Sequence, residues 1–264
     1  MSIQLGALET QFFAYSQLRR LTTLRTGGLL HPLGISPQQE RELLSLLARR
    51  GLIARVRRGL YLVPPHLPAG GAWSPGEAVA LSTLMKDCEA KFQICGLNTF
   101  HRYGWDDQIP NRTYVYNNRL SGDRKVGQLQ FTFIKLTDSR LGATERITSP
   151  DGALVYYSSR ARSLIDAIYD WKRFGSLPRA YDWIRSECEQ DSNIASQLAR
   201  LAIQYGNMST RRRLGRLLEW IECESAVLRK LERCVSKSTA SIPWIPGRSK
   251  RGTLDRRWGV IVNE

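Results

Sequence analysis

A capped helix followed by a short basic hairpin constrains the fold of this chain more than any other feature. Ser36 can cap a helix through its hydroxyl, Pro37 suits the first helical position, and Gln39 stands three residues after the cap. Gly51 suits the far end, because glycine accepts a positive φ at no steric cost. The sequence therefore predicts a helix from Pro37 to about Arg50.

Two β-prone runs follow this helix directly. The runs are residues 52–56 and 60–63, and they are joined by Arg57, Arg58 and Gly59. This pattern predicts a hairpin with glycine in its turn and two arginines at its tip. A hairpin directly after a helix of this kind is typical of the wing in a winged helix.

Two more helices are predicted ahead of the capped helix. Apolar residues at helical spacing over residues 8–21 predict a first helix with one apolar face. Residues 22–28 interrupt that pattern, and residues 29–35, with Gly34 near their end, predict a short second helix. We therefore expect an α+β protein whose residues 1–63 form a winged helix-turn-helix DNA-binding domain.

The capped helix is expected to have one apolar and one polar face. At 100° per residue a narrow basic stripe points outward, and the inner face holds Leu43, Leu44, Leu46 and Leu47. Such a stripe fits the major groove, because glutamine can bond adenine in two places and arginine can bond guanine likewise. The predicted DNA-binding residues are Gln38, Arg41, Ser45 and Arg49 on the helix and Arg55, Arg57 and Arg58 on the wing. The alternative is an ordinary amphipathic helix with a solvated face.

The charge of the chain agrees with a polyanionic ligand. Its 39 Lys and Arg residues outnumber its 24 Asp and Glu residues, which gives a formal net charge of +15 over 264 residues. A surplus of this size favours nucleic acid or an anionic membrane. The surplus lies in residues 1–63 and 205–264, whereas the middle of the chain is nearly neutral. Solubility is the alternative explanation for basic termini.

Several segments are similar to one known family. Residues 46–61, LLARRGLIARVRRGLY, resemble the N-terminal winged helix of AbiEi-type antitoxins, the regulator half of type IV toxin-antitoxin and phage abortive-infection modules. Three later segments resemble further elements of that family: G-L-N-x-x-x-x-x-G at 96–104, R-x-L-x-D at 162–166 and Y-G-x-x-S-x-x-R-R-L-G-x-L-x-E at 205–219. The closing segment, 244–263, resembles the family's last strand. The chain departs from the family in the lengths between elements and in extra basic residues near 248–251.

The remainder of the chain is expected to form a second domain. Proline and glycine predict a linker over residues 64–73, and residues 74–264 are predicted to form an antitoxin-type α+β domain with a small central mixed sheet and a helical C-terminal part. Its predicted strands are 113–116, 129–136 and 153–157, and its predicted helices are 75–86, one opening at 162, 177–189, 193–205 and a long stretch over 209–235. The alternative for the motifs at 96–104 and 162–166 is a purely structural role, in which Asp166 pairs with a nearby arginine.

An arginine cluster opens the last predicted helix, where Ser209 and Thr210 are expected to cap it. The cluster consists of Arg211, Arg212, Arg213 and Arg216. Cations near a helix N-terminus oppose the helix dipole, so local stability does not explain them. They are interpreted as a second basic surface for phosphate, as a contact for a partner's acidic surface, or as partners of carboxylates within the fold.

Catalytic and metal sites are not predicted. The sequence has neither a Gly-rich phosphate loop nor paired aspartates after a G-S element, and Asp106 and Asp107 are adjacent, so their carboxylates would not converge on one metal. Asp151 stands at poor spacing from the Phe-Ile-Lys run at 133–135 for a metal-dependent nuclease. The five cysteines form no C-x-x-C pair, and the three histidines lie far apart. We expect a protein without metal or cofactor that is not an enzyme.

The resemblance implies a function that the residues alone do not. It implies an autorepressor that binds operator inverted repeats in double-stranded DNA and counteracts a co-encoded nucleotidyltransferase-like toxin, without direct contact being required. The symmetry of an inverted repeat leads us to expect a homodimer on DNA, and the cytoplasm is the expected compartment. A membrane location is not expected, because the chain has no apolar run of about 18 residues and no secretory signal. The alternatives are a stand-alone winged-helix transcription factor with a ligand-sensing or dimerising second half, and an enzyme fused to a DNA-targeting domain.

Overall fold

The computed structural model describes residues 4–67, 72–235 and 240–263. Its helices are α1 (Ala7–Leu18), α2 (Leu30–Leu33), α3 (Pro37–Arg49), α4 (Glu77–Asp87), α5 (Leu97–Arg102), α6 (Arg160–Tyr169), α7 (Trp171–Phe174), α8 (Arg179–Gln190), α9 (Ile194–Tyr205), α10 (Met208–Trp220) and α11 (Ser225–Arg233). Its strands are β1 (Thr23–Arg25), β2 (Ala54–Arg57), β3 (Leu60–Leu62), β4 (Phe92–Ile94), β5 (Thr113–Asn117), β6 (Gly122–Val126), β7 (Leu129–Lys135), β8 (Thr144–Thr148), β9 (Leu154–Ser158), β10 (Ile242–Pro243), β11 (Thr253–Asp255) and β12 (Val260–Val262). The protein is of the α+β class, as predicted.

The chain forms two compact units, each built from several segments. The N-unit comprises Met1–Lys91, Arg119–Ile134 and Arg146–Val155, and the C-unit comprises Phe92–Asn118, Lys135–Glu145 and Tyr156–Glu264. The predicted division of the chain at residues 64–73 stays a prediction, and residues 68–71 of that linker lie outside the described residues. Along the described ranges, no helix combines the length and the apolar composition that crossing a membrane requires.

The N-unit begins with three helices and a small antiparallel sheet. Helices α1, α2 and α3 pack around a core that includes Phe12, Leu29 and Leu47. An antiparallel sheet in the order β1-β3-β2 completes this part, with β1 between α1 and α2 in the chain and β2 and β3 after α3. Strand β1 lies in the segment where the sequence pattern is interrupted. Three residues with one buried side chain, Leu24, are too short to produce a readable alternation. Helices and sheet together fit the predicted architecture.

The predicted ends of α3 are confirmed. The backbone N–H of Gln39 donates to Ser36 Oγ at 3.2 Å, and the backbone N–H of Ser36 donates to Gln39 Oε1 at 2.8 Å, which is a complete capping box. Gly51 follows the helix with φ of +70°. The inner face differs from the prediction at Leu46, which is 39 % exposed while the other three leucines are buried.

A buried carboxylate takes part in the inner face of α3. Glu40 is 1 % exposed and accepts the backbone N–H groups of Gly27 at 2.6 Å and Leu29 at 2.9 Å. These bonds tie the loop before α2 to α3 and satisfy a charge that would be costly to bury alone. No local sequence pattern indicates this role of Glu40.

Strands β4, β5 and β9 pair as a mixed sheet in the C-unit. Strand β4 pairs antiparallel with β5 and parallel with β9, with Ile94 opposite Val115 and Tyr157 respectively. The predicted strands correspond to β5, β7 and β9, of which β7 lies mainly in the N-unit. Strand β6 was not predicted, because the sequence Gly-Asp-Arg-Lys-Val carries little β-propensity and its first four residues are exposed.

Helices α6, α8, α9, α10 and α11 form the main core of the C-unit with the sheet β10-β12-β11. The long helix predicted over 209–235 is two helices, α10 and α11, and Glu222 between them has φ of +58°. Its predicted cap is also wrong, because Asn207 Oδ1 accepts the backbone N–H of Thr210 at 2.8 Å. Gly215 on α10 is required by Trp258, whose ring would lie 2.2 Å from an added Cβ.

Candidate nucleic-acid interface

The four predicted base-reading residues share the outer face of α3. Gln38, Arg41, Ser45 and Arg49 are all exposed. Gln38 Nε2 donates to Glu42 Oε1 at 2.9 Å within the helix. The capping box fixes the start of α3 and its buried leucines fix its rotation about the axis, so the exposed stripe is presented by a rigid element.

The wing presents its arginines by strand alternation. Ala54 and Val56 point inward, whereas Arg55 and Arg57 point outward. The turn carries Arg58, also exposed, and closes at Gly59, where φ is +79° and the carbonyl accepts the backbone N–H of Thr26 at 3.0 Å. The loop before α2 and the wing are therefore fastened together.

Arg57, one of the predicted DNA-binding residues of the wing, is paired with a carboxylate of the same protein. Asp87, the last residue of α4, accepts a hydrogen bond from Arg57 Nε on one oxygen and from Arg25 Nη2 at 2.5 Å on the other. The Asp87 side chain is 3 % exposed. The hydrogen bond from Arg57, with a further contribution from Arg25, lowers the pKa of Asp87 against the opposing effect of burial. Asp87 therefore remains ionised and neutralises part of the wing's charge.

The exposed stripe of α3 and the wing lie in one unit and form what we call the α3–wing surface: Gln38, Arg41, Ser45, Arg49, Arg55 and Arg58. Arg57 belongs to the same strand but is engaged by Asp87. The arrangement offers amide and guanidinium groups for base edges and phosphates. Sequence reasoning missed Asp87, because its partners lie 62 and 30 residues away along the chain.

The arginine cluster of α10 faces the interior of the C-unit. Arg211 donates to the carbonyls of Ala202 and Ile203 at the end of α9, at 3.2 and 2.8 Å. Arg212 Nε donates to the carbonyl of Trp258 at 2.6 Å, and Arg213 Nη2 to that of Pro243 at 3.1 Å. Arg216 Nε lies 3.1 Å from Asp255 Oδ2.

These contacts correct the interpretation of the cluster as a second basic surface. Arg212 and Arg213 are buried, and Arg211 and Arg216 are half-buried. Burial lowers the pKa of the Arg212 and Arg213 guanidinium groups. The alternative that the arginines act within the fold fits better, although their partners are mainly backbone carbonyls and only Arg216 pairs with a carboxylate.

The predicted pairing of Asp166 is confirmed. Arg162 Nε donates to Asp166 Oδ1 at 2.9 Å, and both side chains are fully buried. Arg162 also donates to the carbonyls of Arg140 and Gly142 at 2.9 and 3.2 Å. Burial raises the pKa of Asp166, although Arg162 opposes that shift. The pair joins α6 to the loop before β8 and serves the fold.

The aspartates considered for metal binding do not form a cluster. Asp106 Oδ2 lies 3.0 Å from Arg179 Nη1. Among residues 4–67, 72–235 and 240–263, no group of three or more His, Cys, Asp or Glu side chains is placed to hold a metal ion.

Known proteins resemble this chain at two levels. Residues 15–64 match the family described as the transcriptional regulator AbiEi antitoxin. The crystal structure of the RV2827C protein from Mycobacterium tuberculosis has a similar fold, with a TM-score of 0.62 at 14 % identity over 98 % of this chain and 92 % of that one. No curated protein matches the chain. The matched residues, 15–64, hold β1, α2, α3, β2 and β3.

Proposed function

We propose that this protein represses its own operon by binding operator inverted repeats in double-stranded DNA, and that it is the antitoxin of a type IV toxin-antitoxin module. The observation that carries the proposal is the α3–wing surface, in which an exposed Gln and Arg stripe stands beside an arginine-tipped hairpin. The family match over the same residues supports it.

In the proposed complex α3 enters the major groove. Gln38 and Arg41, in the first half of the helix, bond base edges, because their side chains match the patterns of adenine and guanine. Arg49 and Arg58 contact phosphates on either side and fix the orientation of the helix. Two copies bind one inverted repeat, since the symmetry of such a site mirrors that of a homodimer. In this proposal the protein binds its operator in the cytoplasm.

A binding titration with the DNA upstream of the gene tests this proposal. Arg41→Ala combined with Arg58→Ala is expected to weaken binding at least tenfold, because a bidentate base contact is worth about 1–3 kcal/mol. A matched control removes two exposed arginines elsewhere, Arg146→Ala and Arg248→Ala. The control is expected to bind within about twofold of the wild type, apart from a small non-specific electrostatic loss. Equal binding of upstream and scrambled DNA by the wild type contradicts the proposal.

The antitoxin role rests on the family match and needs its own test. The toxin is proposed to be a co-encoded nucleotidyltransferase-like protein that is counteracted without obligatory contact, as part of defence against phage by abortive infection. Expression of the neighbouring gene alone is expected to stop growth, and co-expression of this protein from an unrelated promoter is expected to restore it. Growth arrest that persists on co-expression contradicts the antitoxin role and leaves DNA binding intact.

A cavity in the C-unit favours the second candidate, a stand-alone regulator with a ligand-sensing half. It has a volume of about 770 Å³ between α8, α9 and α10, and its lining includes Arg185, Cys188, Asn193, Trp220 and Cys223. Trp220 is 48 % exposed, with the Arg185 guanidinium 4.5 Å from its ring centre. A small molecule that shifts Trp220 fluorescence and releases DNA, together with a neighbouring gene that is not toxic, would favour this candidate.

A further inference from the structure

We infer that the hairpin formed by β6 and β7 is a second DNA-contacting element, and that the groove between it and β2 binds a backbone phosphate of the same duplex. This inference rests on the proposed function, because it extends the DNA path from α3. All residues involved belong to the N-unit. The hairpin comes from the middle of the chain, so its contribution is not visible in the contiguous residues 1–63.

The turn of the hairpin is fitted closely against the segment that follows the wing. Gly127 in this turn has φ of +60°, and an added Cβ would lie 3.2 Å from Pro75 Cδ and from Ser74 Oγ, and 3.6 Å from Ala54 Cβ. Only glycine combines this backbone conformation with so close an approach. The backbone N–H of Gln128 also donates to Ser74 Oγ at 3.4 Å.

The same segment is tied to the end of α3. The backbone N–H of Trp73 donates to the carbonyl of Gly51 at 2.6 Å. The hairpin, the 73–75 segment, β2 and the end of α3 are therefore linked through successive contacts. This linkage holds the hairpin at a defined position beside the α3–wing surface.

The groove is strongly basic. Its volume is about 390 Å³, and its lining combines residues from α3, β2, the 73–75 segment and the hairpin. Arg49, Arg55 and Lys125 line it and are exposed. Arg50 also lines it but donates to both carboxylate oxygens of Glu9 at 2.7 Å. None of the described lining residues is Asp or Glu.

Charge complementarity identifies the occupant as nucleic acid backbone. Arg49 belongs to the stripe of α3 and Arg55 to the wing, so Lys125 extends the same run of positive charge. The carbonyls at the end of α3 would repel an anion, but Arg49 in the last turn and the Trp73 hydrogen bond offset that repulsion. A lysine ammonium suits a phosphate as a point charge and reads no base sequence.

Salt-dependent binding of the upstream duplex by Lys125→Ala tests this inference. Loss of one phosphate contact is expected to reduce the slope of log affinity against log salt by about one, which weakens binding about tenfold at 50 mM salt and about threefold at 200 mM. The preference for upstream over scrambled DNA is expected to stay unchanged. Unaltered thermal melting of the variant shows that the fold is retained.

Arg124→Ala is the matched control. Arg124 is exposed on the same strand, and alternation points its side chain to the other face, away from the groove lining. An affinity loss and slope change at Lys125 that exceed those at Arg124 support the inference. Equal effects of the two variants, or inhibition of binding by inorganic phosphate at millimolar concentration, overturn it in favour of a diffuse charge effect or a free-anion site. Failure of the wild type to prefer upstream DNA overturns the proposed function as well.

Discussion

Helices α3 and α10 both carry arginines, but those of α3 are exposed and those of α10 face the interior of the C-unit. On α3 the polar stripe of Gln38, Arg41, Ser45 and Arg49 has its members three or four positions apart, so both arginines lie on one exposed face. On α10 three arginines are consecutive, and at 100° per residue they spread over roughly 200° of the helix circumference. They cannot all face solvent on a helix that is packed against α9 and the C-terminal sheet. Spacing, rather than the number of arginines, separates a ligand-binding face from a structural one.

The largest expected effect on stability comes from Arg212, one of the α10 arginines that face the interior of the C-unit. Arg212→Ala removes donors to the carbonyls of Trp258 and Gly259. The Gly259 carbonyl keeps the backbone N–H of Ile242, whereas the Trp258 carbonyl would be left buried without a partner. We expect a loss of about 1–3 kcal/mol in the free energy of unfolding. Chemical denaturation measures it, with Arg41→Ala as the outward-facing control that should change stability by less than about 0.5 kcal/mol. Equal stability of the two variants would refute the contrast between the helices.

A smaller effect on stability is expected from Ser36, the N-cap of α3, whose outer face carries the exposed stripe. Ser36→Ala removes the side-chain acceptor for the backbone N–H of Gln39, and about 1 kcal/mol of stability should be lost. Ser36→Asp, which keeps an acceptor at the N-cap, should restore most of it. Thermal unfolding measures both variants. If Asp fails to restore stability, the hydroxyl is not acting as a cap.

Substitution of Asp87 tests how much its ion pairs with Arg57 and Arg25 reduce the affinity of the wing for DNA. Asp87→Asn should release Arg57 and Arg25 from their ion pairs and strengthen binding to any duplex by about three- to tenfold at low salt. Glu89→Gln, on an exposed neighbour, is the charge-matched control. Weaker binding by Asp87→Asn would instead mean that the ion pairs position the wing for DNA.

The smallest effect is a pH dependence from the same carboxylate. Because Arg57 and Arg25 lower the pKa of folded Asp87, its contribution to stability is present above the ordinary carboxyl pKa of about 4 and is lost as pH falls through the lowered value. Asp87→Asn should therefore lose less stability than the wild type on acidification below about pH 4. Parallel acid-unfolding curves for the two proteins would contradict this assignment.

Local signals made the first part of the fold predictable. Ser36, Gln39 and Gly51 act within a few residues of the ends of α3, and their roles follow from the sequence alone. The helices of the C-unit were similarly visible from apolar spacing, but the break near Glu222 was not, because an isolated positive φ at a non-glycine residue has no sequence signal.

Long-range contacts made the rest unpredictable. The carboxylate of Glu40 finds its donors across a loop, and Asp87 meets Arg57 and Arg25 only after folding. The placement of Lys125 beside Arg55 depends on a hairpin from a distant part of the chain. The inward direction of the α10 arginines could have been inferred, since their consecutive positions already exclude a single exposed face.

Site-specific photo-crosslinking shows whether the exposed stripe of α3 contacts the bases of the DNA. A photo-crosslinking amino acid replaces Ser45, in the middle of the exposed stripe of α3, and a control protein carries it at Ser186, which is exposed on α8. We expect a crosslink from position 45 to bases of the upstream DNA, abolished by excess unlabelled upstream duplex but not by scrambled duplex, and none from position 186. A crosslink from position 186 without one from position 45 would contradict it.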